Sequence, residues 1–356
     1  MTPPVKFLKL SDSFAFDWAD FPAWTDMAAP VPLLLDPGFD HIVPAGGPAV
    51  AYTDVKTAHA PAEHEEDVIE LDMTETIDDH GMSALRSAVI GSDGDIGGAA
   101  GTRLMTTYTS GAVGKYNVTV NFQGVSSLST GGWTSSIQNA FVGAAERISK
   151  MIVGDLPSVM LNGRKIDDIQ ITASMKAIDG VGGVLGQAGM TAVRATSMLP
   201  SSGAMIFDTA DAQRYLGMGL FDEIVTHEML HCVGYGTLWT AKGLVTGTNF
   251  IGQKTVEAFN ALVDEYAASH EGSLTLPNGA VLFKDLVPLE TTGGAGTAGS
   301  HWSEKVFNTE MMTGYLDLAA ANGTAVAPLS AMTMASLQDL GYMTGDLGAT
   351  DSFRLV

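Results

Sequence analysis

Two imidazoles and a carboxylate within five residues, His227-Glu228-Met229-Leu230-His231, have the types and spacing for hydrolytic chemistry on a metal ion. Helix positions four apart share a face, so both imidazoles reach one ion while the Glu between them holds a water beside it. The flanks suit a buried helix, because Phe221, Ile224, Val225 and Val233 fall at helical spacing. Asp222 and Glu223 stand where the first turn would be, and the helix dipole favours negative charge there. Cys232 projects about 100° away from His231 and reads as a small buried apolar residue. Gly234 is placed to turn the chain out of the helix, since glycine tolerates positive φ.

A structural zinc site closes its shell with four protein ligands, whereas a catalytic one keeps three and leaves room for water. The helix supplies two. For a third the residues alone offer His41, His59, His64, His80, His270, His301 and assorted carboxylates.

Such a helix needs a scaffold, and the chain supplies one from about residue 115. Tyr116 to Phe122 alternates as a strand. Ile137, Phe141, Ala144, Ile148 and Ile152 recur at helical spacing, and Gly154-Asp155-Leu156-Pro157 closes that helix. Ile169 to Ser174 reads as another strand. Ala204, Met205, Ile206 and Phe207 read as a short edge strand of the cleft, to which an extended peptide adds through backbone hydrogen bonds. The fold class is therefore α+β, with a mixed twisted sheet and the active-site helix in an N-terminal lobe, residues 111–234. A C-terminal lobe of helix and loop follows at 235–345. Thr255 to Ala268 is helical, with Val256, Phe259, Leu262, Val263 and Tyr266 on one face. Pro328-Leu329-Ser330 starts a last helix through Leu340, and Gly341 stops it.

Residues 1–110 form an extension in which nine prolines break regular structure. It reads as a wrapping arm or a pro-segment over the cleft, and residues 346–356 as a tail. In the extension, Gly91-Ser92-Asp93-Gly94-Asp95-Ile96-Gly97-Gly98 resembles a glycine–aspartate calcium repeat. A single copy reads as a turn, because such repeats bind Ca2+ by stacking.

Composition narrows the partners. Forty acidic against eighteen basic residues give a formal charge of −22, which excludes nucleic acid and anionic membrane surfaces as partners. No apolar run approaches the roughly 18 residues of a membrane span. One cysteine excludes an internal disulfide.

Further along, the small-residue loop Thr291 to Ser300 leads into His301-Trp302, and Glu310-Met311-Met312-Thr313-Gly314 follows. Together with His227-Glu228-x-x-His231-x-x-Gly234, these segments resemble the leishmanolysin family of metzincin zinc endopeptidases, specifically its bacterial relatives. That family carries a long insertion before its third histidine, and 70 positions separate His231 from His301. Gly236-Thr237-Leu238-Trp239, Ser202 to Asp208 and Leu337 to Tyr342 share the likeness, which covers roughly residues 112–345. The resemblance implies a metzincin-like two-lobed peptidase acting on proteins or peptides. It implies Zn2+ held by His227, His231 and His301, Glu228 as general base, and Met312 as the Met-turn methionine. Two positions depart from metzincin patterns. Thr237 stands where a compact motif has its third histidine. Tyr315 lies three residues after Met312, where a tyrosine ligand would lie two after, so it reads as a packing residue.

Zinc lowers the pKa of its water to about 7, and Glu228 would accept that proton and pass it to the leaving amine. Two alternatives stand beside this expectation. One is a non-proteolytic surface or interaction protein braced by structural zinc, for which Glu228 would be superfluous; the other is a narrow-specificity, self-processing protease. Asp351 to Val356 resembles the tails of type I secretion substrates, and the expected location is outside a bacterial cell.

Overall fold

The computed structural model describes residues 104–178, 180–181, 185–294, 296–316, 327–345 and 350–356, with short strand segments upstream. The Gly91–Gly98 turn and the histidines at 41, 59, 64 and 80 lie outside the described residues.

Six strands make one mixed sheet: β1 (Val68–Glu70), β2 (Thr107–Thr109), β3 (Val118–Phe122), β4 (Ile169–Lys176), β5 (Gly186–Arg194) and β6 (Pro200–Asp208). Their order across the sheet is β1-β5-β6-β4-β3-β2. The β3–β4 and β4–β6 pairs are parallel, and the other three pairs are antiparallel. In β3 and β4 buried and half-buried residues alternate, the period-2 signature of strands with one face on the core.

Between β3 and β4 the chain crosses over through helix α1 (Ser135–Met151). Thr134 caps it by accepting from the Ile137 amide at 3.2 Å, and Ile137, Phe141, Ala144 and Ile148 form its buried stripe. Asp208 ends β6 and caps helix α2 (Thr209–Met218), accepting from the Ala210 and Asp211 amides. Helix α3 (Phe221–Cys232) carries the two-histidine motif and packs on α1, β5 and β6. Cys232 is buried, with its sulfur 3.5 Å from the Gly189 carbonyl of β5 and 3.6 Å from that of Ala204.

One expectation is overturned. Ala204–Phe207 lies in the middle of the sheet, because β6 pairs along its length with β5 on one side and β4 on the other. Ala204, for example, faces both Gly189 and Thr172. Its backbone groups are committed to the ladder and cannot receive a peptide. On this side β6 is covered by β5, which glycines at 186 and 189 and polar Gln187 and Thr191 disguise by breaking the apolar alternation. Among the described residues, β1 pairs on its far side at Ala192–Arg194.

After α3 the chain builds a three-stranded antiparallel ribbon (Val245–Thr246, Asn249–Phe250, Val287–Pro288) and helices α4 (Gln253–Ser269), α5 (Glu304–Phe307) and α6 (Ala331–Leu340). Gly252 offers α4 no side-chain cap. Instead Asp339 of α6 accepts from the Lys254 and Thr255 amides, each at 2.9 Å. Ser330 caps α6 and Gly341 ends it in the left-handed conformation, as the sequence signals indicate. Asp351 pairs with Arg147 of α1 and accepts from the Leu329 amide, while Leu355 is buried. Arg147 also reaches Glu223 in the first turn of α3, at 3.6 Å. No helix among the described residues is long and apolar enough to cross a membrane.

Phe141 ties these layers together, its ring meeting Phe122, Trp133, Phe207 and Phe221 edge-on. Phe141→Ala should lower unfolding free energy by about 3–5 kcal/mol, read from urea titration at unchanged slope.

Candidate metal centre

Helix α3 starts at Leu220, which gives no side-chain cap, so its first turn relies on Asp222, Glu223 and the packing of Phe221 against Phe207. Every residue from Ile224 to Cys232 is buried. The helix stops at Val233, and Gly234 turns the chain at φ 98°, a value that favours glycine. The turn brings the Tyr235 carbonyl back to accept from His231 Nδ1 at 3.0 Å.

The other two histidines are oriented the same way. His227 Nδ1 donates to the Met311 carbonyl at 2.8 Å. His301 Nδ1 donates to the Thr297 carbonyl at 3.2 Å, with Ser300 Oγ at the same distance. With each Nδ1 carrying the proton, each Nε2 presents a lone pair. The three Nε2 atoms stand 3.1 Å from one another. Three lone pairs this close repel unless a cation lies among them.

Protons do not fill that role. Burial holds His227 down to about 3, with the neighbouring His231 adding to the effect and the bond to Met311 opposing it. Burial likewise holds His231 down to about 4, and His301 well below its ordinary value with help from the other two rings. Neutral imidazoles are what a metal needs. Nitrogens bound tetrahedrally to one zinc at 2.0–2.1 Å lie about 3.3 Å apart, close to the spacing observed. Among the described residues these three form a buried group able to hold a metal ion. Glu228 is buried next to them, Oε1 lying 3.8 Å from His227 Nε2, and burial pushes its carboxyl well above the usual range. A cation in the site would draw that value back down.

His301 arrives on a loop locked at its neck. The Glu290 amide donates to the His301 carbonyl at 2.9 Å, and the Gly299 amide donates to the Glu290 carbonyl at 2.8 Å. The Glu290 side chain accepts from the Thr291, Thr292 and Glu304 amides and the Thr292 hydroxyl. Burial alone would raise this carboxyl, but those bonds hold it below the ordinary range. Gly236 (φ 72°) lets the chain after α3 pass against the loop, since a Cβ there would sit 2.3 Å from the Ser300 carbonyl oxygen.

Trp302 then anchors the loop in an aromatic cluster, stacked on Trp239 at 4.8 Å and edge-on to Tyr235 and Phe250. Its amide donates to the Met312 carbonyl at 3.0 Å, and Met312 is fully buried. The Tyr315 hydroxyl lies 3.2 Å from Thr292 Oγ1.

The structure thus brings together His227, Glu228, His231 and His301, and separates Ala204–Phe207 from any edge. His270 instead stacks on Tyr266, with its Nδ1 bonded to the Tyr266 carbonyl. Sequence reasoning missed Glu290, Glu310 and the three orienting carbonyls. Carbonyls leave no trace in residue type, whereas the two glutamates were visible as lone acids beside the third-ligand segment. A second acidic group gathers Asp155 and Asp167, both exposed, around buried Asp168. Both Asp168 oxygens accept backbone amides, from Asn117 and Leu156, and burial raises its carboxyl to about 7.

Comparison with known proteins points the same way. Residues 177–353 match the family model described as leishmanolysin. Leishmanolysin of Leishmania tropica is 31% identical over 128 residues, and the leishmanolysin homolog of Crithidia fasciculata 29% identical over 135. Each match covers 36% of this chain and 18% of the relative, so the chain aligns with under a fifth of either protein.

The lowered histidine values predict that, in metal-free protein at pH 5.5, all three rings stay neutral with the proton on Nδ1. Long-range 15N–1H NMR would show this, and protonation near pH 6.5 would contradict it.

Proposed function

Because the chain belongs to the leishmanolysin-like family, we propose that it is a zinc-dependent endopeptidase of metzincin type. The observation that carries this reading is the convergence of three neutral imidazole lone pairs beside a buried glutamate. His227, His231 and His301 would hold the ion. When bound, zinc would acidify a water and polarise the scissile carbonyl. Glu228 would take the proton of that water and deliver it to the leaving amine. Its carboxyl, raised by desolvation and drawn back down by the ion, would suit both halves of the task. Met312, buried and bonded through its backbone to Trp302, would be the Met-turn residue.

An extended peptide would add along β5 around Ala188–Met190, an open rim among the described residues next to the β1 pairing, on the strand against which α3 packs. Backbone pairing of this kind aligns many sequences without reading their side chains closely. The substrates would then be proteins or peptides in general.

One observation favours a second reading, in which the protein processes itself. Strand β1, drawn from the upstream extension, pairs with β5 at Ala192–Arg194, directly beside that rim. Incubating purified zinc-loaded protein and sequencing any new N-terminus separates this from general proteolysis.

Glu228→Ala should keep one equivalent of zinc while casein hydrolysis falls about 10²–10⁴-fold. His301→Ala should lose the zinc itself, measured by metal analysis. Undiminished hydrolysis in the first variant removes Glu228 as the base, and full occupancy in the second removes His301 as a ligand.

A further inference from the structure

Glu310 is a fully buried carboxylate in a position the proposed chemistry does not use. Its partners are all neutral donors. Oε2 accepts from the Met312 amide at 2.5 Å, and Oε1 accepts from the Ser330 amide, the Ser330 hydroxyl and the Thr333 hydroxyl at 3.0, 2.7 and 2.5 Å. No cationic side chain pairs with it among the described residues.

Two routes lead from this carboxylate to the metal centre. Along the backbone, Glu310 fixes the turn whose Met311 carbonyl orients His227, and whose Met312 carbonyl accepts the Trp302 amide next to His301. Through side chains, Thr333 donates to Glu310 and accepts the Trp302 indole N–H at 2.9 Å. One acid thus governs the seating of two imidazoles that come from segments 74 residues apart. We infer that Glu310 is a positioning residue for the metal site, setting His227 through Met311 and His301 through Thr333 and Trp302. The inference rests on the three histidines holding a metal, and on no particular substrate.

Glutamine is a sharp probe. Whichever way its amide turns, the NH2 group faces either the Met312 N–H or the Ser330 and Thr333 donors, so one acceptor is replaced by a donor. Zinc affinity, measured by competition with a chromophoric chelator, should weaken about 10–100-fold in Glu310→Gln, the range for outer-shell partners. The visible spectrum of the cobalt-substituted variant should change as well, because the ligand geometry has changed. Thr333→Val should weaken zinc binding in the same direction, and Thr333→Ser should restore it. Folded Glu310→Gln with wild-type zinc affinity and cobalt spectrum overturns the inference. Should Glu310→Gln fail to fold, the Thr333 pair decides: wild-type affinity in Thr333→Val overturns it, and weakening rescued by serine supports it. Wild-type protein that binds zinc yet cleaves no peptide would sink the peptidase reading and leave these comparisons intact.

Discussion

Three imidazole lone pairs held 3.1 Å apart inside a protein are a standing electrostatic problem, and the surrounding structure is organised around imposing it. Left alone, the rings would rotate, protonate or separate. Each is prevented from rotating by a carbonyl on its Nδ1, and from protonating by burial. Separation is resisted by the packing of α3 on the sheet and of Trp302 among Tyr235, Trp239 and Phe250. A divalent ion among the three nitrogens would relieve that repulsion, so its binding and folding would share one free energy.

The orienting carbonyls come from three different places, and each is a chain reversal. Tyr235 follows the glycine that breaks α3, Thr297 lies in the loop preceding His301, and Met311 sits on the turn after α5. Two buried glutamates keep the latter two in register: Glu290 at the neck of the His301 loop and Glu310 beneath the Met311–Met312 turn. Both acids act as acceptors for backbone amides that a loop would otherwise leave without partners in a dry interior. Irregular segments can therefore be as rigid as the helix they face.

Much of the site was legible because ligand chemistry demands residue types that are rare and spaced by helical geometry. His227, Glu228, His231 and Gly234 declare themselves locally. His301 did not, since its loop is glycine and threonine with no periodicity, and only likeness to a known family singled it out. Long amphipathic elements such as α1 and α4 were readable within a residue or two. Strand β5 was not, because its glycines and polar residues suit a position between β6 and the sheet's rim rather than a buried interior. That omission made β6 look like an edge. Helix α2 escaped too, its start depending on an Asp208 that also accepts the Ile178 and Gly180 amides.

Arg147 of α1 stands between Glu223 at the head of α3 and Asp351, 204 residues further along the chain. During synthesis that bridge has no second abutment until residue 351 has left the ribosome. The helix carrying His227 and His231 can form early, but the support at its head is completed only once a segment 204 residues past Arg147 has been made. Such a sequence-distant closure ties maturation of the site to chain made well beyond α3 and not to the helix's own propensity.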